Sequence, residues 1–252
     1  MGRIIADANQ KGGVGKTSTC VNLAAGLSLK GKKVLICDID LQGNATTGLG
    51  VSKSKLSDSI YGVLLKDVPA KNAIIKTCVE GLYLMPSNVD LETAEDELAH
   101  SRNKGTRLND ALSKIKDEFD YILIDCPPAI GYLMANALVA SDGVLIPIQS
   151  EYYAMEGLSQ LMHTINGIKK TLNPKLEIEG VLITMYDGRA LISREIKDEI
   201  AKFFGKKLFD TVIPRNIRIS EAPSYGVPVL LHDKKCKGTL AYLALVEEFL
   251  GR

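Results

Sequence analysis

"IIADANQKGGVGKTST", residues 4 to 19, places an apolar run, a glycine-rich turn and a helix-ready stretch in immediate succession. Strand, glycine loop, helix is the order a phosphate-binding site requires. Glycine admits positive φ and close approach, and the helix that follows offers unpaired N-terminal amides. Such loops usually read GxxxxGK[ST]. Gly15, Lys16 and Thr17 complete that pattern, but its opening glycine position holds Gln10, and a second lysine, Lys11, comes next. The backbone amides of Gly12, Gly13, Val14, Gly15, Lys16 and Thr17 are expected to surround anionic oxygens, with Ser18 bordering them. Lys16 is expected on the β- and γ-phosphates and the Thr17 hydroxyl on Mg²⁺. A glycine-rich turn with incidental lysines is the plain alternative. It leaves the acidic strand ends further along the chain unexplained.

Those strand ends are Asp38 and Asp40 in "VLICDIDLQGN" and Asp125 in "YILIDCPP". In an open parallel sheet, ligands collect beyond the C-terminal ends of the strands, so a carboxylate ending an apolar strand faces the loop. Asp125 is placed like a Walker B aspartate, holding Mg²⁺ directly or through its water. Asp38 and Asp40 are two residues apart and share a face while the chain stays extended. One can support the metal's water shell and the other can orient an attacking water. Aspartate also caps helices after strands, the plain alternative for either of the pair. Lys11 lies at the mouth of the loop, where its side chain projects outward. There it can reach phosphates on a neighbouring subunit, as an arginine finger does, or simply be a solvated surface lysine.

The remainder of the chain alternates in the same way. "RIIADA", "KKVLICDID", "LYLMPS", "YILIDCPP", "GVLIPIQ", "GVLITMYD" and "FDTVIPR" read as strands, several of them unbroken in hydrophobicity as doubly covered parallel strands are. Cys20, Leu23, Ala24 and Leu27 recur at helical spacing after the loop, and residues 89–101, 106–117, 153–172 and 190–204 also suit helices. The fold class expected is α/β, a doubly wound, mostly parallel sheet with helices on both faces, formed by residues 1–252 as a single domain. Residues 41–80 are the least regular and are expected as loops and short helices on the rim.

Composition sets the outer limits. The 252 residues are 46% hydrophobic and 24% charged, ordinary for a globular chain. No apolar run approaches the ~18 residues of a membrane span. The first ten residues lead into the loop without a signal-peptide layout, so a cytoplasmic location is expected. The five cysteines form no CxxC pair and lie mostly in apolar runs, which favours small core residues over metal ligands. Net charge is +1, with net +3 from Tyr186 onward and net −2 before it. That asymmetry permits a local basic patch.

"KGGVGKT" resembles the signature of the deviant Walker A class of P-loop ATPases. With "DIDLQGNATTGLG", "DCPPAIG", "EYYAMEGLSQL", "TMYDGR" and "VIPRNIRISEAPSYG", essentially the whole chain is similar to the ParA/Soj chromosome- and plasmid-partitioning ATPases. The resemblance implies an Mg²⁺-dependent ATPase that forms a nucleotide-sandwich homodimer with ATP, Lys11 crossing to the partner's ATP. It implies Lys16 and Thr17 on phosphate and Mg²⁺, Asp40 positioning the hydrolytic water, Asp38 and Asp125 serving the metal shell, and Pro214 and Asn216 bordering the adenine. It also implies sequence-independent binding of double-stranded DNA through Arg189 and Arg218, nucleoid association, and a ParB-type partner that stimulates hydrolysis.

The chain departs from the family pattern at Leu41, where "DxDPQ" has proline, and at Asp7, in a usually apolar strand position. The first suggests a looser turn. The second demands a partner, exposure or a shifted pKa. Two other classes share the signature loop. A membrane-cycling division regulator of the MinD kind attaches through a basic amphipathic C-terminal helix. Here "TLAYLALVEEFLGR" carries a stripe of Leu240, Leu243, Val246 and Leu250 with two glutamates, which suits a core-packing helix and no membrane partner. A cluster carrier of the nitrogenase iron-protein type needs close cysteine pairs.

Overall fold

The computed structural model describes residues 2–151 and 154–252. In chain order the elements are β1 Arg3–Asp7, α1 Lys16–Leu29, β2 Val34–Asp38, α2 Asn44–Gly48, α3 Ile60–Leu65, β3 Ile75–Lys76, β4 Leu82–Met85, α4 Ala94–Ala99, α5 Arg107–Leu112 and β5 Tyr121–Asp125. They continue with α6 Tyr132–Ala140, β6 Gly143–Gln149, α7 Ala154–Thr171, β7 Glu177–Tyr186, α8 Leu191–Phe204, β8 Leu208–Pro214, α9 Ile217–Glu221, α10 Val229–His232 and α11 Lys237–Leu250. One sheet runs β3-β4-β2-β5-β1-β6-β7-β8. Every pairing is parallel except β3 with β4.

Side chains alternate between two apolar layers, one on each face. Ile4 and Ala6 of β1 point to the layer with α3 to α8, and Ile5 points to the layer with α1, α10 and α11. The inner strands are buried from both sides, which is why they read as unbroken apolar runs. Helices α1 and α11 cross closely at Gly26, where a Cβ would meet Val246 Cγ2 at 2.5 Å.

Several elements differ from the sequence reading. The helix expected over 89–101 is a 3₁₀ turn, Val89–Thr93, followed by the short α4. The one expected over 106–117 ends at Leu112. In the helix expected over 153–172, Tyr153 lies outside the described residues, as do Tyr152 and Tyr153 of the "EYYAMEGLSQL" block. The rim segment 41–80 holds α2, α3, short 3₁₀ turns and β3, as expected. The C-terminal stripe is rotated from the one expected. Tyr242, Leu245, Val246 and Phe249 face the core, while Leu240 is 57% exposed.

Both edges of the sheet are modified. β3 is two residues long and ends on exposed Lys76. In β8, Leu208 pairs with Val181 and Val212 with Ile183, so four steps on one strand match two on the other. Glu248 of α11 accepts the backbone N–H groups of Asp210 and Thr211 at 2.8 and 2.9 Å in that irregularity.

Candidate functional site

The loop between β1 and α1 is pinned where it leaves the strand. Asn9 donates to Pro147 O at 2.7 Å and accepts the Lys11 N–H at 3.0 Å. Gly13 and Gly15 have φ of 74° and 88°, left-handed conformations that glycine reaches without strain. Lys16 is buried and its ammonium caps Lys11 O at 3.2 Å, so it already occupies the cradle. The loop borders a cleft of about 530 Å³ lined by Gly12, Gly13, Gly15, Lys16, Thr17 and Ser18 on one side and by Asp40 and the Pro127–Pro128 turn on the other. Val14 is buried beneath the loop, and so contributes backbone only.

Lys11 does not line this cleft. Its ammonium lies 2.6 Å from Glu151 Oε2, an ion pair whose side chains are 38% and 50% exposed. The outward orientation expected from its place in the loop is what the structure has.

Register places three carboxylates abreast. Asp125 ends β5 and pairs across with Asp38 of β2 and with Asp7 of β1. Register neighbours in a parallel sheet share a face, here the face carrying α1 and Lys16. Burial pushes the Asp125 carboxyl well above its ordinary value and the Asp38 charge adds to that, while the Thr17 hydroxyl and Lys16 pull the other way. Both Asp125 oxygens are buried without a hydrogen-bond partner. An unpartnered carboxylate next to the Thr17 hydroxyl, under a cradle of amides, fits Mg²⁺ carried on phosphates. Among the described residues no three His, Cys, Asp or Glu side chains form a metal cage. An ion that keeps water and phosphate ligands does not need one.

Asp38 behaves differently from Asp125. Its Oδ2 accepts from the Thr46 N–H at 2.7 Å and the Thr46 hydroxyl at 2.6 Å, and its Oδ1 from the Asp40 N–H at 3.3 Å. Burial, partly offset by the Thr46 bonds, pushes its carboxyl up to about 6. Asp38 therefore ties α2 to the end of β2, the capping alternative, and does not line the cleft. Asp40 does line it. Its Oδ1 accepts the Gln42 N–H at 2.9 Å and its backbone carbonyl accepts the Gly43 N–H at 2.9 Å. Those two bonds close the turn without the proline that Leu41 replaces, and Leu41 packs on the core instead.

Asp7 has neither partner nor exposure. It is 2% exposed and both oxygens lack a hydrogen bond. Burial, then the Asp125 charge, raises its carboxyl well above the ordinary value of 3.8, with Lys16 offsetting part of it. The folded protein thus holds this proton more tightly than the unfolded chain, and Asp7 costs stability progressively as pH rises above about 4. Asp7→Val, which suits a buried strand, is expected to stabilise the nucleotide-free protein by about 1–3 kcal/mol. The gain in thermal unfolding should be larger at pH 8 than at pH 5. A Val variant less stable than the parent at pH 8 would show the carboxyl to be structurally engaged.

A second pocket of about 260 Å³ adjoins the cleft past Ser18, lined by Thr184, Met185, Ile213, Pro214, Asn216 and Tyr242 among others. Pro214 and Asn216, the residues expected to border the adenine, both line this pocket. The Asn216 side chain also accepts the Arg218 N–H at 2.8 Å, capping α9. Arg189 and Arg218 leave the ends of neighbouring strands β7 and β8, on the same rim as the cleft. Each is held by a local carboxylate. Arg189, 92% exposed, makes a fork with Asp187 at 3.0 and 3.1 Å, and Arg218 pairs with Glu221 at 2.7 Å and Asp233 at 3.5 Å. Thr184, Met185, Gln149 and Glu151 belong to this region; Glu151 opens the "EYYAMEGLSQL" block and Thr184 and Met185 open "TMYDGR", but nothing in the sequence assigns any of the four a role.

A glycine-loop strand-to-helix turn and a lysine-filled cradle, with an aspartate just past the end of another strand bordering the same cleft, define a P-loop nucleotide hydrolase. The family described as "AAA domain" matches residues 2–178. The chain is 49% identical over 252 residues to chromosome partitioning protein ParA of Myxococcus xanthus, covering 100% of this chain and 89% of that one. It is 50% identical over 248 residues to sporulation initiation inhibitor protein Soj of Bacillus subtilis, covering 98% of each. Its fold matches cobyrinic acid a,c-diamide synthase from Mycobacterium smegmatis with bound ATP analog and magnesium, with a TM-score of 0.87 and 36% identity over 100% of this chain and 98% of that one. The chain belongs to the ParA/Soj family of chromosome-partitioning ATPases. It is an ATPase that binds nucleotide and Mg²⁺.

Proposed function

We propose that residues 1–252 act as one ATP-driven DNA-binding switch. ATP closes a homodimer, the dimer binds double-stranded DNA without sequence preference, and slow hydrolysis stimulated by a ParB-type partner releases it during segregation of a chromosome or plasmid. The observation that carries this reading is the division of labour between two lysines. Lys16 fills its own cradle, whereas Lys11 stands outside it on an exposed tether, free to serve a second copy. Exposed ion pairs contribute only about 0–1 kcal/mol, so Glu151 holds Lys11 loosely. A cation arriving from the partner would neutralise charge developing on the transferred phosphoryl. Thr17 and Asp125 would hold Mg²⁺ and its water, Asp38 acting from behind through the Asp40 turn, and the ion would supply charge neutralisation at the phosphates. Asp40 would hold the attacking water, and Pro214 and Asn216 the base.

DNA binding in this reading is backbone neutralisation, with Arg189 and Arg218 trading their local carboxylates for phosphates. A dimer doubles the contacts, which lets a nearly neutral monomer bind firmly only when ATP is present. The expected location is the cytoplasm, on the nucleoid. No described helix is long and apolar enough to cross a membrane. The membrane-cycling alternative needs a free amphipathic C-terminal helix, and the apolar face of α11 is committed to the core.

Light scattering combined with DNA binding, in ATP, ADP and no nucleotide, tests the switch. Dimer and DNA binding should appear together and only with ATP. DNA binding that is equal in all three states would overturn it. Arg189→Glu and Arg218→Glu should each keep the ATP dimer while weakening DNA binding about tenfold or more and lowering the salt slope by roughly two per dimer. Full, equally salt-sensitive binding in both variants would move the contact surface elsewhere.

A further inference from the structure

Two carbonyl groups of the phosphate loop are held by side chains that lie far from it in sequence. Thr184 Oγ1 donates to Val14 O at 2.7 Å, and Gln149 Nε2 donates to Gly13 O at 3.2 Å. The two residues are register partners on β6 and β7, 9% exposed for Gln149 and 2% for Thr184. The Thr184 hydroxyl also lies 3.3 Å from Ile148 O, but it has one proton, and the shorter contact to Val14 claims it. Thr184 also backs the loop sterically, its Cβ and Cγ2 lying 3.7 Å from where a Cβ on Gly15 would stand.

In a planar trans peptide the carbonyl of one residue and the N–H of the next point in opposite directions. Anchoring the carbonyls of Gly13 and Val14 against β6 and β7 therefore turns the N–H groups of Val14 and Gly15 the other way, toward the cleft. With glycine at both 13 and 15, little else in the backbone opposes a peptide flip. A flipped peptide would present a carbonyl oxygen to an anion.

We propose that Thr184, seconded by Gln149, is a positioning residue for the nucleotide's phosphates: it fixes the two peptide planes whose amides form the cradle. Gln149 is itself held in place by its second contact, from Nε2 to Met185 Sδ at 2.7 Å. Met185 has φ of 50°, rare for a residue with a side chain, and borders both the phosphate cleft and the adjoining pocket. The wall between the two pockets and the orientation of the loop are thus joined through one carboxamide.

The test compares Thr184→Val, which keeps the shape and removes the donor, with Thr184→Ser, which keeps the donor. Titration with ADP in the presence of Mg²⁺ should show affinity about tenfold weaker for the Val variant and within about threefold of the parent for the Ser variant. The KM for ATP should rise in parallel, with kcat changed less. A merely structural role would instead be visible in the unfolding temperature without nucleotide and would leave ADP affinity unchanged. ADP affinity in Thr184→Val equal to the parent's, or Thr184→Ser as weak as Thr184→Val, would overturn the proposal. Should Thr184→Val not fold, Gln149→Met carries the decision: several-fold weaker ADP binding supports it and unchanged binding overturns it.

Discussion

Asp40→Ala is expected to bind Mg·ATP and dimerise, yet lose at least about a hundredfold in turnover, the typical scale for removing a group that handles the attacking water's proton. Of Asp38, Asp40 and Asp125, all buried, Asp40 is the one that also borders the cleft. Its Oδ1 is committed to the Gln42 N–H, which leaves Oδ2 for a water. Because the Ala variant also loses that turn contact, Asp40→Asn is the companion, keeping an acceptor for Gln42 without the carboxylate's basicity. Phosphate release measures turnover and light scattering measures the dimer. Both variants should persist as an ATP-bound dimer. Hydrolysis at the parent rate in either would place the water-positioning group elsewhere.

Lys11→Ala separates the two lysines. ATP binding to the monomer should change less than about threefold, since Lys16 and the loop amides form the cradle, while ATP-dependent dimerisation disappears. Turnover should fall by about 10³-fold or more, the scale of a cation supplied in trans. Among the described residues, the side-chain interaction given up in the monomer is the exposed pair with Glu151, so stability should be nearly unchanged. The measurement is ATP affinity alongside sedimentation or light scattering. Loss of nucleotide binding with assembly intact would reverse the roles assigned to Lys11 and Lys16.

The sheet and the loop are legible in the sequence because each has a local signature: unbroken apolar strands between helical patterns, and glycines beside Lys16 and Thr17. Elements without such a signature are not legible. Ile75–Lys76 is too short to show a period. Tyr132–Ala140 is apolar almost all round, so it shows no stripe although it forms a helix, α6. The 106–117 pattern carries helical spacing past Leu112, but the chain closes into a 3₁₀ turn at Lys116–Glu118 before β5. In the site, Asp40, Asp125 and the loop residues follow from the rule that ligands gather at strand ends. Gln149 and Thr184 do not, because neither carries a charge or a loop signature, and only register sets them side by side beneath the loop. Asp7 is visible as an anomaly in sequence. Its outcome, burial beside Asp125 with no partner, depends on three strands ending level.

Open β-edges seed aggregation wherever copies of a chain meet at high concentration. The stub Ile75–Lys76 offers almost no template and ends on a lysine, which disfavours strand addition. At the opposite margin, the bulged β8 has two of its amides already taken by Glu248. A partner strand arriving there would find the local twist wrong and those donors occupied. Crowding this protein onto a surface should therefore leave it colloidally stable, with contacts between copies left to side chains.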